Sequence, residues 1–305
     1  MTLIITGHNF ERGFAWGEKD PPLEPKGLFI ASDSAITDSN GKTLLGGFKK
    51  VYAIPIRVWM PYFIGQHFHN YQSIHYQSEC FVAIAGSTLT AQHVVNLITE
   101  HLGNLQITHF QPRDGKKEGY CVVRHCAENP LKIRPGTDAW DEGMFTDNDL
   151  TNVVEGVVID EAIEHSINVA LKSARKYKLD EDSFRQMYTE LAIGYHCPSS
   201  HEHKLFAYKN KHELNEEGVY EAFAQKEEVL QGKVAVLGMA ARFSDSAQQC
   251  FDEALVSRKT PAQAMFEYLN FAIDEVRSEG PSAIDRPSVL RHFQDGKLKR
   301  ADFRA

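Results

Sequence analysis

Thr2 stands directly behind Met1 and ahead of an apolar run, Leu3, Ile4 and Ile5. Methionine before a small residue is normally removed. A threonine left at the chain start carries a hydroxyl nucleophile and a free amine on one residue, and an amine with a pKa near neutrality serves as base for that hydroxyl. The same residues also read as an ordinary buried strand that begins early, and Thr2 alone does not choose between the two. A second chemically capable group is His196, Cys197, His201 and His203, all metal-ligand types within a short stretch. Their spacing matches no zinc pattern and they fall on an expected strand turn, so no metal and no cofactor is expected. His67, His69 and His75 read as residues of a polar loop, and Cys121 and Cys126 as ordinary thiols.

The elements that must position these residues follow from periodicity. Thr2–Gly7 predicts a short strand, and the stretch 11–27, rich in Gly, Pro and charge, predicts a long hairpin loop. Leu28–Ala31 is an apolar strand run that stops at Ser32, Asp33 and Ser34. Residues 39–42 (SNGK) read as a tight turn, residues 49–65 as a strand with β-branched and aromatic side chains, and 81–86 as a buried strand ending at Gly86. A helix follows, capped by Ser87 or Thr88, with Val94, Val95, Leu97, Ile98 and Leu102 on one face. Helical spacing recurs over 153–177 and 260–279, the latter with Pro261 in its first turn. Residues 190–210 read as strand, turn, strand, and 233–255 as strand, glycine turn, helix. Strands are grouped rather than alternating with helices, which argues against a parallel βαβ repeat and for an α+β fold.

The bulk numbers narrow the function classes. The 305 residues carry a formal net charge of -8, whereas a nucleic-acid-binding surface normally shows a basic excess. No apolar run approaches the length of a membrane span. The start shows no basic segment followed by a long apolar core, so no secretory signal is expected. Five scattered cysteines read as reduced thiols, and a cytoplasmic protein is expected.

Four segments then stand in order: Thr2 before a strand, IASDSAIT with Asp33 at a strand end, GGFKKV with Lys50, and AIAGSTLTA with Gly86 at a strand-to-helix junction. This set resembles the proteasome β-subunit-type family of N-terminal-nucleophile hydrolases, including its ancestral-type bacterial β subunits. The resemblance covers about the first hundred residues. It implies a four-layer αββα sandwich, two stacked antiparallel sheets between helix pairs. The chain is then one domain, 1–305, with insertions at about 8–27, 66–79 and 105–150. It further implies threonine-type peptide-bond hydrolysis by Thr2, with Lys50 beside the nucleophile, Asp33 holding that lysine, and the Gly86 N–H forming the oxyanion hole. Extended substrate is expected to pair with main chain at Thr37 and Gly86. A specificity pocket is expected from Ile36, Phe48, Tyr52, Ile84 and Thr88, mostly apolar and free of acids and bases. Self-association into a ring or spiral homo-oligomer is implied, with the helices at 153–177 and 260–279 as contact surfaces and peptide or unfolded protein as substrate. No nucleic acid and no membrane partner is expected.

The later family motifs depart. Leu237–Gly238–Met239–Ala240 lacks the hydroxyl the family often places there, and Asp285 with Ser282 has the wrong spacing for its Asp–Ser pair. Two alternatives therefore stay open: a hydrolase of a small amide, and a catalytically silent ring or scaffold subunit.

Overall fold

Alternation sets the first strand in the computed structural model, which is described over residues 2–13, 23–37, 42–110, 119–133, 142–173, 180–280 and 283–305. In β1 (Leu3–Arg12) Leu3 and Ile5 join one apolar cluster and Ile4 another, on opposite faces of the sheet. The chain continues through β2 (Leu23–Ser32), β3 (Ile36–Thr37), β4 (Thr43–Leu45), β5 (Val51–Ile64), β6 (His67–Gly86) and α1 (Thr88–Gly103). Then come β7 (Leu105–Phe110), β8 (Gly119–Arg124), α2 (Pro130–Ile133), α3 (Gly156–Lys172) and α4 (Glu181–Met187). It closes with β9 (Thr189–His196), β10 (His203–Leu214), β11 (Tyr220–Glu228), β12 (Val234–Gly238), α5 (Ala240–Val256), α6 (Pro261–Ser278), β13 (Ser288–Gln294) and β14 (Lys297–Arg304).

The result is a mixed α+β chain with several sheets. One sheet has the order β12-β1-β2-β13-β14, and a second the order β11-β10-β9-β6-β5-β7-β8. Leu3, Ile5, Phe29 and Ala31 of the first pack on Phe243 and Phe251 of α5 and Met265 and Leu269 of α6. Val82, Ile84, Leu191 and Ile193 of the second pack on Val94 and Ile98 of α1 and Ile163 and Ile167 of α3. The opposite faces share a third cluster, with Ile4, Leu28 and Ile30 against Phe81, Ala83, Ala192 and Leu205. Each of these side chains is at most 7% exposed; at about 25 cal/mol per Å² of apolar surface removed from water, such a face dominates the stabilisation of its element.

Several expectations change. The second sheet is not wholly antiparallel, because β5 and β7 run parallel at Val58–Leu105 and Trp59–Gln106. The polar residues 67–79, expected as loop, form the outer part of β6, so His67, His69 and His75 lie on a strand that pairs with β5 to the tip of the hairpin. The Gly65 turn with φ +62° closes that hairpin, and Pro61 is tolerated in β5 because the pairing is irregular beside it. Helix α3 is shorter than the 153–177 span. Ser87 precedes α1 in extended conformation, but its hydroxyl makes no capping bond; the Ala91 N–H bonds its carbonyl instead. Residues 39–41 of the expected turn and the middle of the 11–27 loop lie outside the described residues. Among the described residues no helix is long and apolar enough to cross a membrane.

Candidate active site

The site lies where β1 begins, at the edge of the two facing sheets. The Asp33 carboxylate closes the turn after β2 by accepting the Leu3 N–H at 2.9 Å and the Ala35 N–H at 3.0 Å. Lys50, just ahead of β5, donates to both Asp33 oxygens at 2.8 and 2.9 Å. The same Lys50 Nζ donates to Thr2 Oγ at 3.0 Å. All three side chains are buried, Thr2 at 8%, Asp33 at 1% and Lys50 at 4% exposure. A buried ammonium without a countercharge loses several kcal/mol, and the doubly bonded carboxylate supplies that countercharge. Burial pushes the Lys50 pKa below its usual value while Asp33 pulls it back up. With Nζ donating to Thr2 Oγ, the hydroxyl proton is left to point elsewhere, and negative charge developing on Oγ meets a cation already in place.

The backbone behind Thr2 is fixed as tightly. The Thr2 carbonyl accepts the Met239 N–H at 2.9 Å, and Leu3 pairs with Gly238 across β1 and β12. Gly238 has φ +83°, and a Cβ there would fall 2.0 Å from the Thr2 carbonyl oxygen, so only glycine lets the two strands meet at this point. Glu190, 4% exposed on β9, accepts the Gly238 N–H at 2.5 Å and the Tyr188 hydroxyl at 2.7 Å. Burial and that carboxylate together raise the Tyr188 pKa, which keeps the phenol a donor.

In front of Thr2 opens a cavity of about 500 Å³. Thr2, Lys50 and Gly86 line it together with Ile36, Thr37, Phe48, Ile84 and Thr88. Gly86 ends β6 with φ +92°, and a Cβ there would lie 2.3 Å from the Tyr188 carbonyl oxygen. Tyr52 does not line the cavity: it is half-buried, with the Lys49 ammonium 5.0 Å from its ring centre. Arg185, Gln186 and Tyr188 complete the lining from α4 and the residue after it, so a guanidinium joins the mostly apolar residues there. Arg185 is exposed and pairs with Glu181 at 2.7 Å. A signal for this wall exists in the sequence: Asp180 caps α4 by accepting the Ser183 N–H at 2.9 Å, with acids in the first turn and Arg185 in the last.

Among the described residues the other candidates make no bond to Thr2 of the kind Lys50 makes: Asp285 stays near the cluster through its backbone, its carbonyl accepting the Ser34 N–H at 3.3 Å. The Asp285 carboxylate engages the Arg286 N–H at 2.8 Å and Arg277 at 3.4 Å, while Ser282 lies outside the described residues. The His196 ring lies 5.0 Å from that of His203 and 6.0 Å from that of His201, and the Cys197 thiol bonds the Ser199 hydroxyl at 3.3 Å. These four do not bring three ligand atoms within 4.8 Å of one another.

No family model matches the chain, and no curated protein matches it. Among solved structures, an Anbu mutant from Hyphomicrobium sp. strain MC1 is similar at 12% identity and a TM-score of 0.39, covering 98% of this chain and 87% of that one. Anbu (ancestral beta-subunit) from Yersinia bercovieri is similar at 13% identity and a TM-score of 0.41, covering 98% of this chain and 86% of that one. Membership of the proteasome β-subunit family, implied by the four sequence segments, is corrected accordingly: with no matching family model and likenesses this distant, the chain is not assigned to it.

Proposed function

We propose that this chain hydrolyses amide bonds with Thr2 as nucleophile, once whatever precedes Thr2 is removed, and that peptide or unfolded protein is its substrate class. The observation that carries the reading is the 3.0 Å bond from Lys50 Nζ to Thr2 Oγ inside a buried, fully paired cluster that opens on a cavity. Thr2 Oγ attacks the substrate carbonyl carbon, and its proton passes through a water to the Thr2 α-amine. Lys50 stabilises the negative charge on Oγ as the attack begins. The carbonyl oxygen becomes an oxyanion beside the Gly86 N–H; losing such a donor costs on the order of 3 kcal/mol of barrier. Collapse breaks the C–N bond, the leaving amine takes the proton, and a threonine ester remains. Water adds to the ester and releases the acid and free Thr2.

Thr37 and Gly86 supply main chain for an extended substrate, and Ile36, Phe48, Ile84 and Thr88 form the pocket, with Arg185 at its exposed side. The same reading takes the chain as one αββα domain over 1–305 that self-associates through its helix faces. Val157 on α3 and Phe271 on α6 are large apolar side chains left 54% and 63% exposed. A second reading, a silent scaffold subunit, draws on the Gly238–Met239–Ala240 turn, which carries no hydroxyl, and on an Asp285 carboxylate already engaged by the Arg286 N–H and Arg277. Hydrolysis of a fluorogenic peptide library by the native chain and by Thr2→Ala separates the two. The nucleophile reading expects turnover that Thr2→Ala abolishes; no turnover by a chain whose Thr2 amine is free supports the scaffold.

A further inference from the structure

Three ligating side chains converge away from Thr2, where α1, α3 and the turn after β8 meet. His101 lies near the end of α1, His165 on α3 and Cys126 just beyond β8. One ligand atom of each lies within 4.8 Å of the other two, and Cys126 Sγ is 3.8 Å from His165 Nε2. Among the described residues this is where histidine, cysteine and carboxylate ligand atoms gather in this way. His101 stands thirteen residues along α1 from Thr88, so at about 1.5 Å per residue the cluster is roughly 20 Å from the cavity and independent of the chemistry proposed there.

The hydrogen bonds around His101 orient its ring. The Ser166 hydroxyl donates to the Ala162 carbonyl at 2.6 Å, a bond in which only the serine can donate. Ser166 Oγ therefore accepts from His101 Nδ1, 2.8 Å away. The proton is thereby assigned to Nδ1, and the Nε2 lone pair is left to ligate. An imidazole held by a hydrogen bond at its far nitrogen is the usual outer support of a metal-bound histidine. A second observation points to the same space: His125 stacks on His101 with ring centres 5.3 Å apart, and its Nδ1 is buried without a hydrogen-bond partner. A ligand or its bound water near His101 would give that atom one.

We propose that His101, Cys126 and His165 bind a divalent cation of the zinc class, with a fourth position left to solvent. Two imidazoles and a thiolate are the donor set that such borderline ions prefer over magnesium or calcium. Bonds of about 2.0–2.1 Å to nitrogen and 2.3 Å to sulfur put tetrahedral ligand atoms roughly 3.3–3.6 Å apart, close to the 3.8 Å separation of Cys126 and His165. The Cys126 thiolate offsets half the charge of the ion, and Glu100, 3.5 Å from His125, adds a further anion, against Arg124 and Lys172 as nearby cations. The ion would tie α3 and the turn after β8 to the end of α1.

The full chain is stripped with a chelator under reducing conditions and titrated with Zn²⁺ by calorimetry and with Co²⁺ by absorbance. One equivalent of each should bind, with a thiolate-to-cobalt charge-transfer band, and Zn²⁺ should raise the melting temperature. Cys126→Ser should lose the band, and both Cys126→Ser and His165→Ala should weaken Zn²⁺ binding by at least about tenfold. Cys126 is exposed and His165 half-buried, so both variants should keep the wild-type circular dichroism, unlike changes at the buried His101. Absence of stoichiometric binding overturns the proposal. So does binding that survives both substitutions, including binding that His203→Ala removes instead.

Discussion

Two strands, one from each of the facing sheets, carry polar side chains at both ends, with opposite outcomes. β1 leads from Thr2 to His8, and β9 from Glu190 to His196, each on the face that meets the other sheet. At the Thr2 end every buried polar group has partners: Lys50 reaches Asp33 and Thr2, Asp33 takes two further N–H groups, and Glu190 takes Gly238 and Tyr188. At the far end His8 has a single bond, to the Val229 carbonyl at 3.0 Å, and His203 Nε2 is buried with none. Burial lowers the pKa of both histidines, that of His203 to about 4. A buried cluster holds its charges only when each has a counterpart. Where counterparts are missing, the group becomes neutral and the site has no charge to use.

The comparison is most severely tested at Thr2. Thr2→Ala removes the nucleophile and should reduce peptide hydrolysis by at least about 10⁴-fold while leaving the circular dichroism spectrum unchanged. Next, Asp33→Asn leaves Lys50 buried without its countercharge. Urea denaturation should show a loss of about 3–5 kcal/mol, well beyond the effect of neutralising an exposed partner such as Glu181, at most about 1 kcal/mol. Gly86→Ala introduces a Cβ 2.3 Å from the Tyr188 carbonyl at a positive φ. A loss of roughly 2–3 kcal/mol in the same assay is expected, with activity falling as the cavity wall shifts.

The smallest effect belongs to the far end. His203 has a folded-state pKa of about 4 against 6.5 unfolded, so as pH falls the unfolded chain takes its proton first. Its contribution is complete above pH 6.5 and is lost as pH falls toward about 4. His203→Gln should flatten that part of a stability-against-pH curve. A slope unchanged by the substitution would mean that the missing partners at this end do not govern its charge.

What was legible in the sequence follows from range. Leu3, Ile4 and Ile5 mark β1, and Pro261 with its apolar periodicity marks α6, because neighbours a few residues apart encode them. Asp33, Lys50 and Gly86 emerge only as an ordered set, since neither a turn aspartate nor a lysine beside Lys49 signals a buried pair. The outer part of β6 was hidden by its polarity: it is half-exposed and ordered by pairing with β5, which composition does not reveal. Glu190 left a trace, an acid inside the apolar strand run TELAIGY, but its partner Gly238 is 48 residues away. Cys126 and His165 lie 39 residues apart and read as unrelated until α3 folds beside the turn after β8.

Amide hydrolysis by Thr2 requires its free amine, because the groups around the hydroxyl supply no other base: Lys50 donates to it and Asp33 is occupied by Lys50 and the Leu3 N–H. The most direct test is the intact mass, with N-terminal sequencing, of the natively produced chain. The expected mass is that of a chain starting at Thr2. A chain that fully retains Met1 would contradict it, leaving the Thr2, Asp33 and Lys50 cluster as buried structure without a nucleophile.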